Sequence, residues 1–158
     1  MTHGAHDSLI VERPLPDEAA TLALGRELAP ALTPGMVVWL SGDLGAGKTT
    51  LVRGLLRAFH YEGRVKSPTF TLVEYYPFSS FNLYHFDLYR FIDPEEWDDA
   101  GFREYFNEAS ICLVEWPEKG EGCLPGADLL IRLDLAGAGR IAKLHGVTEV
   151  GKKCLQHL

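Results

Sequence analysis

Long hydrophobic runs are missing from this sequence. No apolar stretch approaches the roughly 18 residues that a membrane-spanning helix needs. The start, Met1-Thr2-His3-Gly4-Ala5-His6-Asp7, has neither a basic patch nor an apolar stretch, so it does not read as a secretory leader. Residues 1–8 read instead as a short disordered lead. Cysteine is scarce: Cys112, Cys123 and Cys154 are odd in number and lack metal-ligand spacing, which leaves a reducing cytoplasm as the simplest setting. Positive charge is in deficit, with 15 Lys and Arg against 22 Asp and Glu and a formal net charge of −7. Strong autonomous nucleic-acid binding favours a basic surface and is not expected here, although nucleic acid held by a partner is not excluded. Repeats and low-complexity linkers are absent as well. What remains is ordinary globular composition, 46% apolar and 23% charged, in a length that makes one domain with a sizeable core.

Against that plain background one motif stands out. Gly42-Asp43-Leu44-Gly45-Ala46-Gly47-Lys48-Thr49 is a complete G-x-x-x-x-G-K-T phosphate-binding loop. The apolar run Met36-Val37-Val38-Trp39-Leu40 precedes it, and Leu51, Leu55, Leu56 and Phe59 follow at helical spacings. Strand, loop and helix are the context this motif requires. Its glycines let the backbone wrap so that successive N–H groups point at phosphate oxygens, and the following helix adds the positive end of its dipole. In that frame Gly45, Ala46, Gly47, Lys48, Thr49 and Thr50 cradle the phosphates. The Lys48 ammonium reaches the β- and γ-phosphates, and the Thr49 hydroxyl is a Mg²⁺ ligand.

The rest of the chain reads as an α/β fold, a P-loop NTPase-like three-layer sandwich with a mixed parallel/antiparallel sheet. Leu9-Ile10-Val11 is a short strand that Pro14 and Pro16 terminate. Asp17 is the N-cap of a helix whose apolar face holds Ala20, Leu24 and Leu28, with Pro34-Gly35 after its end. Phe70 to Tyr76 and Asn82 to Tyr89 are extended. Their short joint, Pro77-Phe78-Ser79-Ser80, favours an antiparallel hairpin. Pro94 to Phe106 reads as one or two short acidic helices split at Gly101. Ile111 to Val114 is a buried strand, and Asp128 to Leu135 with Arg140 to Val147 form a second hairpin around Gly137-Ala138-Gly139. The domain spans residues 9–148, and 149–158 form a helix or a frayed tail.

Three further places can carry chemistry. Glu115 ends the apolar strand Ile111-Cys112-Leu113-Val114, the address of the acidic Mg²⁺ ligand in nucleotide hydrolases. Trp116 beside it either packs near the nucleotide or fills the core. Asp87 shares one face of an extended segment with Leu83, His85 and Tyr89; it orients or deprotonates the attacking water, holds Mg²⁺ through water, or simply ends the strand. His85 reads as an ordinary half-buried histidine. Ser67-Pro68-Thr69 sits where switch segments meet the γ-phosphate, or is a plain strand entry. Arg53 and Arg57, with Arg64 and Lys66 nearby, read by default as a solvated basic face.

Taken in order, the segments Gly42 to Thr50, Lys66-Ser67-Pro68-Thr69-Phe70-Thr71-Leu72, His85-Phe86-Asp87-Leu88-Tyr89-Arg90 and Leu113-Val114-Glu115-Trp116-Pro117 resemble the bacterial ATPase family of tRNA threonylcarbamoyladenosine biosynthesis, TsaE. The likeness runs from about Leu15 to about Val147. It implies an ATP-binding α/β fold, slow Mg²⁺-dependent ATP hydrolysis in the cytoplasm, and action alongside the threonylcarbamoyl-transferase complex that modifies tRNA adenosine next to the anticodon, with tRNA met through that complex and no membrane involved. Carried over by motif, Thr49 and Glu115 hold Mg²⁺, and Lys48, Asp87 and Thr69 are the catalytic candidates. Glu18 and Arg140 match positions near the nucleotide. Two other readings of the same loop stand beside this one. A small-molecule kinase needs an arginine-rich lid, and Pro94 to Phe106 offers only Arg103 among many acids. A GTP switch commonly carries an Asn/Thr-Lys-x-Asp base-reading motif, which this chain lacks.

Overall fold

The structure, a computed structural model, describes residues 9–43, 45–65, 68, 72–91 and 93–158. Its elements are β1 (Leu9–Leu15), α1 (Glu18–Leu28), β2 (Val37–Ser41), α2 (Lys48–Ala58), β3 (Val73–Pro77), β4 (Asn82–Asp87), α3 (Pro94–Asp99), β5 (Ser110–Glu115), β6 (Leu129–Ala136), β7 (Gly139–Gly146) and α4 (Glu149–Gln156). Short 3₁₀ turns occupy Ala29–Ala31, Phe102–Tyr105 and Pro117–Gly120.

The seven strands form one sheet in the order β1-β7-β6-β2-β5-β4-β3. Its centre is parallel: β2 pairs with both β5 and β6, and β4 with β5. Its margins are antiparallel, through β3–β4 at one side and β6–β7–β1 at the other. The mixed sheet is therefore as the sequence reading has it, and both hairpins are present. β5 is buried at every position, which fits its uninterrupted apolar run, because a central parallel strand is covered on both faces. One face carries a core of Leu24, Leu28, Leu51, Leu56, Ile111 and Leu113 beneath α1 and α2. The other carries Phe86, Trp97, Phe102, Cys112 and Val114 beneath α3 and the turn after it. α4 joins the first core through Cys154 and Leu155, tied down by Thr148, whose hydroxyl donates to the Asp128 carboxylate at 2.7 Å.

Local signals explain most of the boundaries. The Asp17 carboxylate accepts from Ala20 N–H at 2.9 Å and caps α1. Asp93 and Glu96 make a capping box on α3, and Gly101 (φ +72°) separates it from the next turn. Several boundaries depart from the sequence reading. β3 starts only at Val73, because Leu72 before it takes a left-handed backbone with φ +66°. β1 does not stop before Pro14 but runs through it to Leu15. The reason is its place at the sheet's edge, where a missing N–H costs no ladder bond. Tyr89 lies beyond β4, so only Leu83, His85 and Asp87 share the buried face.

α1 and α2 approach until their backbones touch. A Cβ on Gly25 would lie 2.3 Å from the Leu51 carbonyl oxygen, and one on Gly54 would lie 2.3 Å from the Leu22 carbonyl oxygen. This contact fixes the helix that begins at Lys48 against its neighbour. Gly54→Ala gains about 1 kcal/mol of helix propensity, but overpacking against a rigid backbone carbonyl costs about 1–3 kcal/mol or more. The variant is expected to unfold at lower urea concentration than the parent chain; equal or greater stability would contradict this packing.

Candidate nucleotide-binding site

The strand register brings the site together. Leu40, one residue before the end of β2, pairs with Glu115, and Glu115 pairs with Asp87 on the next strand. The phosphate loop leaves β2 at Ser41 and enters α2 at Lys48. Loop, Glu115 and Asp87 thus meet at the carboxyl edge of the parallel strands, where open α/β sheets bind ligands. The loop has the backbone that its glycines permit: Gly42, Gly45 and Gly47 take φ of +139°, +79° and +102°. At Gly42 a Cβ would also lie 2.5 Å from the Leu133 carbonyl oxygen, so only glycine fits beside β6.

Lys48 and Glu115 are both buried, with side-chain exposures of 4% and 5%. Lys48 Nζ donates to the Gly42 carbonyl oxygen at 2.6 Å and lies 3.9 Å from Glu115 Oε1. It also sits 4.0 Å above the centroid of the Trp116 ring, a favourable cation–π arrangement. Trp116 itself has φ +57°, a conformation that costs a bulky residue about 1–3 kcal/mol. Of the two readings open from the sequence, the structure shows the core one, since its ring packs against the second core. The same ring also meets Lys48 and, with centroids 5.0 Å apart, Tyr89. The other oxygen of Glu115, Oε2, is 2.6 Å from His85 Nε2.

Asp87 is buried beside these groups, and its Oδ1 accepts from Tyr89 N–H at 2.9 Å. Burial pushes its carboxyl above the ordinary value; the Tyr89 N–H opposes this and the nearby Glu115 adds to it. Burial pushes the Lys48 ammonium below its ordinary value, opposed by Glu115 and Asp87. The two opposite shifts share one chief cause, burial, and an incoming polyanion would favour the charged form of Lys48.

Beside the loop a cleft of about 340 Å³ opens between the β1–α1 turn and the β6–β7 hairpin, lined among others by Glu18, Gly47, Thr50, Gly139 and Arg140. Its size suits a small ligand. Glu18 pairs with Arg53 at 3.3 Å across α1 and α2. Arg140 spends its guanidinium on backbone: Nη2 donates to Gly45 O at 2.8 Å, Nε to Ala46 O at 3.2 Å and Nη1 to Gly139 O at 3.1 Å. It grips the outer side of the phosphate loop. Arg57 likewise closes the end of α2, donating to Tyr61 O at 2.6 Å and Gly63 O at 2.8 Å. Of the basic residues that the sequence reads as a solvated face, Arg57 is thus bonded to backbone and Arg53 to Glu18.

Of the residues singled out in the sequence, Glu18, Gly45, Ala46, Gly47, Lys48, Thr49, Thr50, Asp87, Glu115 and Arg140 gather around the loop, the cleft and the adjoining strand ends. Ser67 and Thr69 lie outside the described residues, while Pro68 between them is buried. His85 is the site residue that sequence reasoning passed over. Its period-two spacing from Asp87 places it on the face that meets Glu115, and that was the available signal. Among the described residues no group of three or more His, Cys, Asp and Glu side chains forms a metal cage. The donors present, a helix-start threonine hydroxyl and one carboxylate, suit a Mg²⁺ completed by phosphate and water. The thiols of Cys112 and Cys154 are pushed up by burial to about 12 and about 11 and belong to the core, not to the chemistry.

Comparison with known proteins bears on the whole chain. Residues 15–142 match the family model of the threonylcarbamoyl adenosine biosynthesis protein TsaE. The tRNA threonylcarbamoyladenosine biosynthesis protein TsaE of Haemophilus influenzae is 48% identical over 146 residues, covering 89% of this chain and 92% of that protein. The protein of the same name in Bacillus subtilis is 42% identical over 74% of this chain and 73% of its own. The crystal structure of Bacillus subtilis YdiB superposes with a TM-score of 0.82 at 30% identity, covering 96% of this chain and 95% of that one. The chain belongs to the TsaE family.

Proposed function

We propose that this protein binds ATP with Mg²⁺ on the Gly42–Thr49 loop and hydrolyses it slowly. The cycle would serve the threonylcarbamoyl modification of tRNA adenosine next to the anticodon, acting on the threonylcarbamoyl-transferase proteins in the cytoplasm. The observation that carries the ATPase part is the buried pair Lys48 and Glu115 at the mouth of a glycine-built phosphate loop. The names of the relatives carry the pathway. In the described residues no helix is long and apolar enough to cross a membrane. The acidic balance supports contact with tRNA through partners, because neutralising phosphates needs a basic surface.

Roles follow from position. The N–H groups of Gly45 to Thr50 and the dipole of α2 receive the phosphates, while base and ribose lie toward the cleft between Glu18 and Arg140. Lys48 leaves Gly42 O for the β- and γ-oxygens and neutralises charge as the bond to the leaving phosphate breaks. Thr49 and Glu115 would hold Mg²⁺, which when bound polarises the phosphates and offsets their charge. Asp87 orients a water for in-line attack at the γ-phosphorus; the bond to the β–γ bridging oxygen breaks, and ADP and inorganic phosphate leave. Thr69 belongs to this set by sequence alone. A rate lifted by an arginine finger is about 10³–10⁵ above intrinsic. Arg140, already committed to loop carbonyls, is poorly placed for that task, so the isolated chain should be slow.

The direct test is phosphate release by purified Lys48→Ala and Thr49→Ala variants. Loss of a donor aimed at developing charge costs about 10²–10³ in rate, so both should be nearly inactive while still folded. Wild-type rates in both would remove the assignment. In the same assay the transferase proteins should change the parent rate and tRNA alone should change it little.

A second expectation concerns pH. Because burial raises the Asp87 carboxyl, the fold disfavours its ionised form. That cost is fully present above the raised value and disappears as pH falls below the ordinary value of 3.8, where Asp87 is protonated folded or unfolded. Asp87→Asn should therefore raise the melting temperature at neutral pH, with the gain shrinking toward pH 4. The same variant should bind ATP but turn over about 10²–10⁴ more slowly. A melting-temperature gain that is independent of pH, or lost nucleotide binding, would contradict these roles.

A further inference from the structure

Glu115 has two carboxylate oxygens with different neighbours. Oε2 lies 2.6 Å from His85 Nε2, while Oε1 is turned toward Lys48 at 3.9 Å. The first is a full hydrogen bond; the second exceeds the roughly 2.7–2.9 Å of a closed ammonium–carboxylate contact. Lys48 is engaged instead with Gly42 O at 2.6 Å. The orientation of Glu115 therefore depends on His85 more than on Lys48. His85 is wholly buried on β4, paired in register with Leu113 on β5, two residues before Glu115. Its Nδ1 makes no hydrogen bond among the described residues. The one polar contact the imidazole makes there is with Glu115. An aliphatic side chain would fill this apolar position and leave no buried ring nitrogen unpaired, so packing alone gives no reason for a histidine.

We propose that His85 is a positioning residue that clamps Glu115 Oε2 so that Oε1 stays turned toward the loop for Mg²⁺. The inference rests on the reading of Glu115 as a Mg²⁺ ligand. A carboxylate accepts only, so Nε2 carries the hydrogen of this bond, and the clamp restrains both the rotation of the carboxylate and the strand-end rotamer. This is the outer-shell histidine–carboxylate pairing that holds metal ligands in place, with the carboxylate as the ligand and the imidazole as its support. β4 thereby serves the site twice, through Asp87 at its end and His85 two residues earlier.

The test measures ATP affinity by calorimetry, with and without MgCl₂, for the full chain and for His85→Leu, His85→Gln and Glu115→Gln. His85→Leu should lose about 10- to 100-fold of the Mg²⁺-dependent gain in affinity and keep the parent affinity without Mg²⁺. That Mg²⁺-free binding also reports an intact phosphate loop. His85→Gln, whose side-chain amide can donate to the same oxygen, should recover most of the gain. A His85→Leu variant with the parent's full Mg²⁺ gain overturns the clamp. So does one that loses affinity equally with and without Mg²⁺, or a His85→Gln variant no better than His85→Leu. Glu115→Gln separates the two levels. If it keeps the Mg²⁺ gain, the ligand reading itself fails; if it loses the gain while His85→Leu keeps it, only the clamp fails.

Discussion

A buried carboxylate sets the terms for this structure. Glu115 is 5% exposed, with Lys48 on one side and His85 on the other. An isolated charge at such depth is strongly disfavoured, so the two partners must arrive with it. The carboxylate and its two partners come from three separate stretches of chain: the end of β5, the start of α2 and the middle of β4. The parallel pairing of β4 with β5 and of β5 with β2 brings them together. A one-residue slip in either pairing would turn every side chain of a strand to the opposite face, separating His85 and Asp87 from Glu115.

The same neighbourhood concentrates the features that do not favour the fold. Lys48 is held below its ordinary ionisation range and Asp87 above it, both chiefly by burial. Trp116 takes a left-handed backbone immediately after Glu115. Such departures gather where function requires them, and the surrounding structure over-determines them. The fully buried β5 anchors one side. The glycine-mediated contact of α1 with α2 anchors the other. Arg140 ties the far hairpin to the loop by donating to the carbonyls of Gly45 and Ala46.

Local chemistry made much of this legible in the sequence. The phosphate loop is written in consecutive residues, and Glu115 follows an unbroken apolar run. The Asp17 cap and the split at Gly101 are turn and cap signals with fixed offsets. What escaped depends on neighbours distant in sequence. Pro14 looks like a strand breaker until β1 is known to lie at an edge. His85 looks ordinary until β4 is placed beside β5 rather than elsewhere in the sheet. Arg57 looks like generic positive charge until its guanidinium is seen on the carbonyls of Tyr61 and Gly63. Ser67 and Thr69 fall outside the described residues, and the sequence is all that speaks for them.

The central claim, that Thr49 and Glu115 share one metal position at the loop's mouth, is tested most directly by paramagnetic broadening. Amide resonances of the full isotope-labelled chain would be followed while Mn²⁺ is added in place of Mg²⁺, with and without a non-hydrolysable ATP analogue. The account predicts strong nucleotide-dependent broadening centred on Thr49, Glu115 and Asp87, with weaker effects at the β6–β7 hairpin. Broadening centred on any other acidic cluster, or unchanged by the nucleotide, would contradict it.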